Sequence, residues 1–470
     1  MDMLINGKEI SCKDLAEVKN PYNDKVIDTV PIATLNHVDL AIEAANNAKK
    51  SIQEMSAFKI SNKLYSIHEN LKANKKEIAK LITQEVGKPI KESLGEMDRS
   101  VETLKLAAEE SKRIHGETVP LDAGINGKGF FAFTQKVPLG VVAAITPFNY
   151  PVNLSIHKIA PAIACKNTTI IKPPMDAPLA VMKLAEFIDE EFPSGVINTV
   201  TGYGSEVGDG LVVSEGVDKI SFTGSVPTGL SIANRAGMKK VTLELGGNDP
   251  LVVLEDADIE KAVNGAMNGA YLNAGQVCMG VKRIILDNKI ADEFIDLFVR
   301  ETKNLKIGDP MKMETDLGPL IDEKAAKNVE ESVNNAIVEG AELLIGGKRK
   351  NNFYEPTILD NVNMRMGLVS TETFGPVAPI IRVSSTQEAI DVANDTEYGL
   401  QAGVFTESFK NGLKCANEIE AGTVFINKQP TFRTDNMPFG GFKDSGTGKE
   451  GIKYAVNEMT KTKLIALNLR

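Results

Sequence analysis

Between Val141 and Leu245 short apolar runs alternate with amphipathic stretches, and no other feature limits the fold of this chain so sharply. The runs are VVAAI (141–145), NTTIIK (167–172), VINTV (196–200), KISF (219–222) and VTLEL (241–245). Helical patterns near Asn153 to Ala164, near Ala177 to Ile188, after Ser205 and after Pro227 separate them. Apolar strands alternating with helices specify a parallel, doubly wound sheet with helices on both faces. Ligands to such a sheet bind outside the carboxyl ends of its strands.

Beyond Gly246 a second α/β run begins. Its strand candidates are LVVL (251–254), KRIIL (282–286), PIIRV (379–383), GVF (403–405) and TVFI (423–426), with helices between them including Ala325 to Ile337. Ahead of both runs, His37 to Glu117 reads as long amphipathic helices. The stretch GKGFFAFT (127–134) suits an extended ribbon, and the C-terminal segment ends in the polar and apolar alternation of an edge strand. A chain of 470 residues is too long for one core of ordinary size, so these runs are expected to form domains packed around a shared cleft.

Charge and cysteine usage exclude several functions. Asp and Glu number 63 against 53 Lys and Arg, a net charge of -10 that disfavours nucleic acid or an anionic membrane as partner. Apolar stretches stop well short of the roughly 20 residues that span a bilayer, and the N-terminus lacks the pattern of a secretory signal. A cytoplasmic location is expected. Cys12, Cys165, Cys278 and Cys415 form no CxxC pair, and the four histidines lack ligand spacing, so neither a disulfide framework nor a metal site is expected.

Three segments place polar chemistry where strands meet the cleft. NAGQVCMG (273–280) sets Cys278 among small residues, VTLELGGNDP (241–250) ends a strand in Glu244 before two glycines, and ITPFNYPVN (145–153) holds Asn149 in a rigid turn. Taken singly, each has an ordinary reading: a packing cysteine, a paired strand terminus, a turn former. Two strand-to-helix turns, TGYGSEVG (201–208) and SFTGSVPTG (221–229), have the geometry that receives a phosphate on exposed N–H groups, though neither is a full G-x-G-x-x-G fingerprint.

Read together and in order, TPFNYP, NTTIIKPP, FTGSVPTG, LELGGNDP, NAGQVC, ETFGPV and NMPFGGFKDSG resemble the motif series of the aldehyde dehydrogenase superfamily over nearly the whole chain. The resemblance implies a Rossmann-like NAD(P)-binding domain (1–118 and 138–245), a catalytic domain (246–440) and a small β oligomerisation element (119–137 and 441–470). It implies Cys278 as nucleophile, Asn149 as oxyanion donor and Glu244 as general base for hydrolysis of a cysteine thioester. Relatives that pass the acyl group to coenzyme A typically lack that glutamate, so the free acid is the expected product, with acyl transfer to coenzyme A as the minor alternative.

For the cofactor, NAD or NADP, Lys172 matches the lysine at the adenosine ribose and Glu372 the glutamate at the nicotinamide ribose, with Phe374 beside it. Ser225 matches the pyrophosphate contact, with Gly204 and Gly224 allowing close backbone approach. Met175 stands where NAD-preferring members often carry a glutamate, so repulsion against a 2′-phosphate is removed and NADP is expected to be accepted. The resemblance also implies a homodimer or homotetramer. KQPTFRTDNMPFGG (428–441) is similar to the substrate-proximal loop of archaeal lactaldehyde dehydrogenases and, more loosely, of non-phosphorylating glyceraldehyde-3-phosphate dehydrogenases. Arg433 in it reads either as a contact for an anionic or hydroxylated substrate or as a salt bridge at the domain junction. Lactaldehyde is the favoured aldehyde, with succinate semialdehyde and glyceraldehyde 3-phosphate as alternatives. Rivals from other classes are a non-catalytic nucleotide-binding relative and a cysteine hydrolase, the latter lacking a histidine partner for Cys278.

Overall fold

The computed structural model describes residues 1–469. Its first sheet runs, across its width, through Lys240–Glu244, Lys219–Thr223, Val141–Ile145, Thr168–Lys172 and Ile197–Thr199, all parallel. Gly446–Thr447 adds an antiparallel edge beside Lys240–Glu244. Because the first strand in sequence lies in the middle, the chain winds outward in both directions, and a crevice forms beyond the carboxyl ends of Val141–Ile145 and Lys219–Thr223, where the connections leave in opposite directions. Four strands end nearly flush there: Ile145 pairs with Lys172 and Phe222, and Thr223 pairs with Glu244.

Side-chain alternation explains how both faces are covered. Val141, Ala143 and Ile145 pack into a core with Val38, Ala41 and Leu211, whereas Ala144 points into the opposite core with Ile156, Ile159 and Val181. That opposite core is closed by helices Ala57–Ala73, Lys75–Val86 and Ile90–Glu110.

The second sheet has seven strands in the order Glu342–Ile345, Thr357–Asp360, Val377–Val383, Val281–Asp287, Asp249–Val253, Gln401–Phe405 and Thr423–Ile426, with only the first antiparallel to its neighbour. Leu251 and Val253 face one core while Val252 and Leu254 face the other. The helix Ala291–Thr302 buries Ala291, Phe294, Ile295 and Phe298, the spacing of a single helical stripe. The two sheets are mixed α/β layers as the sequence implies.

A third sheet joins Thr118–Val119, Phe130–Pro138 and Thr460–Asn468, the last pairing along its whole length and lying at an edge. Of the described residues 441–469, this strand is the part that joins the ribbon sheet. Gly446–Thr447 belongs to the first sheet, and the helix Ile452–Glu458 packs on helices Ile90–Glu110 and Pro151–Ala164. No helix among the described residues is long and apolar enough to cross a membrane.

Candidate active site

A cavity of about 790 Å³ opens at the crevice of the first sheet and reaches the second domain. Lys172, Gly204, Gly224, Ser225, Asn149, Cys278, Glu372 and Phe374 all line it, although they come from widely separated parts of the chain. Ser225 is the N-cap of the helix Val226–Arg235, so the unpaired first-turn N–H groups of that helix face the space beside it. Burial lowers the Lys172 ammonium to about 8, so it stays largely charged at neutral pH, and among the described residues its Nζ bonds only to the Pro173 carbonyl, at 3.2 Å. A cationic lysine, a helix N-terminus and an apolar far wall of Phe148 and Phe374 fit a dinucleotide.

Glu372 enters from the opposite wall. Burial raises its carboxyl to about 7 against the opposing charge of Lys282. Its position explains Gly246, where a Cβ would fall 2.2 Å from Glu372 Oε2. Phe374 meets Phe148 edge to face at 6.1 Å.

Cys278 sits half-buried at the inner end. The loop before it is unusual: Asn273, Ala274 and Gly275 take φ values of 49°, 52° and 74°, three successive left-handed residues. Only glycine fits the third, since a Cβ on Gly275 would lie 1.9 Å from the Gly375 carbonyl oxygen. Gly275→Ala is therefore expected to cost on the order of 3 kcal/mol or more and to remove activity, as read by urea unfolding and turnover. A variant of unchanged stability would refute this account of the loop.

Burial, with Glu372 and Asp249 nearby, pushes the Cys278 thiol up to about 12, so at neutral pH it rests protonated. The Asn149 amide donates one of its two hydrogens to the Gln276 carbonyl at 2.9 Å, leaving the other available. The Cys278 backbone N–H makes no hydrogen bond among the described residues.

Glu244 ends its strand only 2% exposed, and neither carboxylate oxygen has a hydrogen-bond partner among the described residues. Burial first, then the charge of Glu450, raises its carboxyl well above the ordinary range, while Lys158 and Arg433 oppose this. Glu450 behaves differently. Burial would raise it, but Lys158 at 2.8 Å and Arg433 at 3.1 Å hold it near 2.

The Arg433 side chain is 3% exposed, paired with Glu450, and stacked 3.8 Å from the centre of the Phe439 ring. Met175 lies outside this cavity: its sulfur accepts the Gly202 N–H at 3.0 Å, and the side chain borders a separate acidic cavity with Asp176 and Asp322. Sequence reasoning missed Lys158, which donates to Thr223 and Glu450, because the second partner lies 292 positions away. His157 is buried and bonded to Asp435 at 2.9 Å.

The aldehyde dehydrogenase family model matches residues 9–465. The chain belongs to the aldehyde dehydrogenase family. Within this family it is 46% identical over 477 residues, covering all of both chains, to the lactaldehyde dehydrogenase of Methanococcus aeolicus. It is 42% identical to the 3-sulfolactaldehyde dehydrogenase of Priestia aryabhattai, over 99% of this chain and 98% of that one. A crystal structure of glyceraldehyde-3-phosphate dehydrogenase from Methanocaldococcus jannaschii complexed with NADP superposes with a TM-score of 0.94 at 45% identity, covering 98% of this chain and 100% of that one. The protein is therefore an NAD(P)-dependent aldehyde dehydrogenase.

Proposed function

We propose that this enzyme oxidises lactaldehyde, or a closely related short 2-hydroxyaldehyde, to the free carboxylic acid. One observation carries the reading: Cys278 and Asn149 line the same cavity as Lys172, Ser225, Glu372 and Phe374, so a nucleophile, an oxyanion donor and dinucleotide-binding groups converge.

Cys278 Sγ gives up its proton to solvent in the open cavity and attacks the aldehyde carbon. The resulting oxyanion is met by the second Asn149 amide hydrogen and by the Cys278 N–H, two donors of the kind that stabilise developing charge most effectively. The bound nicotinamide supplies the hydride acceptor. Collapse of the oxyanion leaves a thioester on Cys278. Glu244, whose raised affinity for protons suits it to take one from water, generates the nucleophile that releases the acid.

Lys172 would hold the adenosine ribose, the Ser225 turn the pyrophosphate and Glu372 the nicotinamide ribose. With Met175 turned to Gly202, position 175 contributes no carboxylate, which supports acceptance of NADP. The relatives named above are consistent with either lactaldehyde or an anionic analogue as substrate. A second reading, an anionic short aldehyde, is favoured by the 42% identity to the 3-sulfolactaldehyde dehydrogenase of Priestia aryabhattai. The half-exposed apolar residues Phe130, Phe131, Leu464 and Leu467 on the ribbon support assembly as a homo-oligomer.

The test is absorbance of reduced nicotinamide with lactaldehyde, succinate semialdehyde and glyceraldehyde 3-phosphate, each with NAD and with NADP. Lactaldehyde is expected to give the highest kcat/KM, and NADP to support turnover. Preference for either anionic aldehyde moves the assignment to the second reading, and absence of reduction with all three sinks both in favour of a nucleotide-binding role.

A further inference from the structure

The two oxyanion donors come from different parts of the fold, Asn149 from the end of a first-sheet strand and Cys278 from the loop leading into a second-sheet strand. Their alignment must hold to a fraction of an ångström for the donors to act together. One short stretch of the helical layer touches both.

Lys88, just before the helix Ile90–Glu110, donates to the Asn149 carbonyl at 2.9 Å and lies 3.9 Å from the centre of the Tyr150 ring. It pairs with Glu96, whose other oxygen accepts the Val152 N–H at 3.0 Å and the Asn153 N–H at 3.1 Å, capping the helix that follows Asn149. One turn before Glu96 on the same helix, Glu92 Oε2 accepts the Asn273 N–H at 2.9 Å, across to the other domain. That donor opens the left-handed turn Asn273–Gly275. The Asn273 carbonyl in turn receives the Gln276 N–H, and the Gln276 carbonyl receives the Asn149 amide, so the chain of bonds closes on the oxyanion site.

We propose that Glu92 is a positioning residue: by fixing the left-handed turn ahead of Cys278 while Lys88 and Glu96 fix Asn149, it holds the two oxyanion donors in register. The inference rests on the roles given above to Cys278 and Asn149. Left-handed backbone at Asn273 and Ala274 is disfavoured for residues with a Cβ and persists only where surroundings impose it. Glu92 supplies that restraint from outside the loop. It touches neither substrate nor cofactor in this account and acts only through the turn.

Two substitutions separate this role from general stability. Glu92→Met fills the same half-buried space but removes the acceptor, and Glu92→Gln keeps an acceptor oxygen. In the full-length enzyme, Glu92→Met is expected to lower kcat by between about tenfold and a hundredfold, with aldehyde KM and NADP affinity within about twofold of wild type. Glu92→Gln is expected to retain most of kcat. A substrate-independent readout accompanies these assays: the rate at which iodoacetamide alkylates Cys278, followed by peptide mass spectrometry, should change in Glu92→Met and not in Glu92→Gln. Alkylation that responds equally in both variants, or in neither, overturns the proposal even if no tested aldehyde is a substrate. Wild-type inactivity with every aldehyde, beside the expected alkylation pattern, counts instead against the functional reading.

Discussion

Cys278→Ala is expected to abolish aldehyde-dependent reduction of the nicotinamide, lowering turnover by at least about 10⁴-fold, while NADP binding stays within about twofold of wild type. The size of the effect follows from position. Cys278 alone among the cysteines lines the cavity, Cys165 and Cys415 being buried elsewhere and Cys12 lying near the N-terminus with its sulfur directed to the Asp14 and Ile32 carbonyls. No second thiol can replace it. Because burial and the acids Glu372 and Asp249 hold its thiol near 12, the resting enzyme carries little thiolate at neutral pH. Attack therefore depends on proton removal as substrate arrives. Residual activity within tenfold of wild type would remove the covalent route altogether.

Glu244→Gln is the second large effect. Steady-state turnover is expected to fall by about 10²- to 10⁴-fold, yet the first turnover should still produce reduced nicotinamide in an amount equal to the enzyme. Removal of the base leaves attack and oxidation intact and stalls hydrolysis. Wild-type turnover limited by hydrolysis should rise with pH, since burial and Glu450 keep the Glu244 carboxyl protonated well above its ordinary value of 4.5. Stability responds in the opposite sense. Between 4.5 and the raised value the unfolded chain has lost this proton and the folded protein keeps it, so raising pH through that window weakens the fold. Glutamine removes that loss, and the variant should unfold later than wild type at the alkaline end of the window. A variant whose pH dependence of unfolding matches wild type would show that Glu244 is not the strained acid described here.

Much of the fold was legible because its strands are short, apolar and regularly spaced. Every run read between Val141 and Leu245 forms a parallel strand within a residue or two of its expected ends, and the helix Ala325 to Ile337 lies within Glu323–Val338. The N-terminal hairpins Met3–Ile10 and Leu15–Pro31 were not read, because their strands are only three to six residues long and alternate weakly. At the site, residues in recurring motifs were found and residues that meet only in space were not. Glu92 and Asn273 lie 181 positions apart, and nothing in GKPIKE announces a bond to the loop of the nucleophile. Arg433 shows the same limit, since its pairing with Glu450 depends on the return of the chain at Phe439. Met175 was legible as the absence of a carboxylate, but its sulfur contact with Gly202 was not.

If Cys278 carries the acyl group and Glu244 releases it, intact-mass and peptide analysis of Glu244→Gln mixed with lactaldehyde and NADP should find one lactoyl group per chain, held on the Cys278 peptide and labile to hydroxylamine as a thioester is. Reduced nicotinamide formed without any adduct, or an adduct on another residue, would contradict those roles.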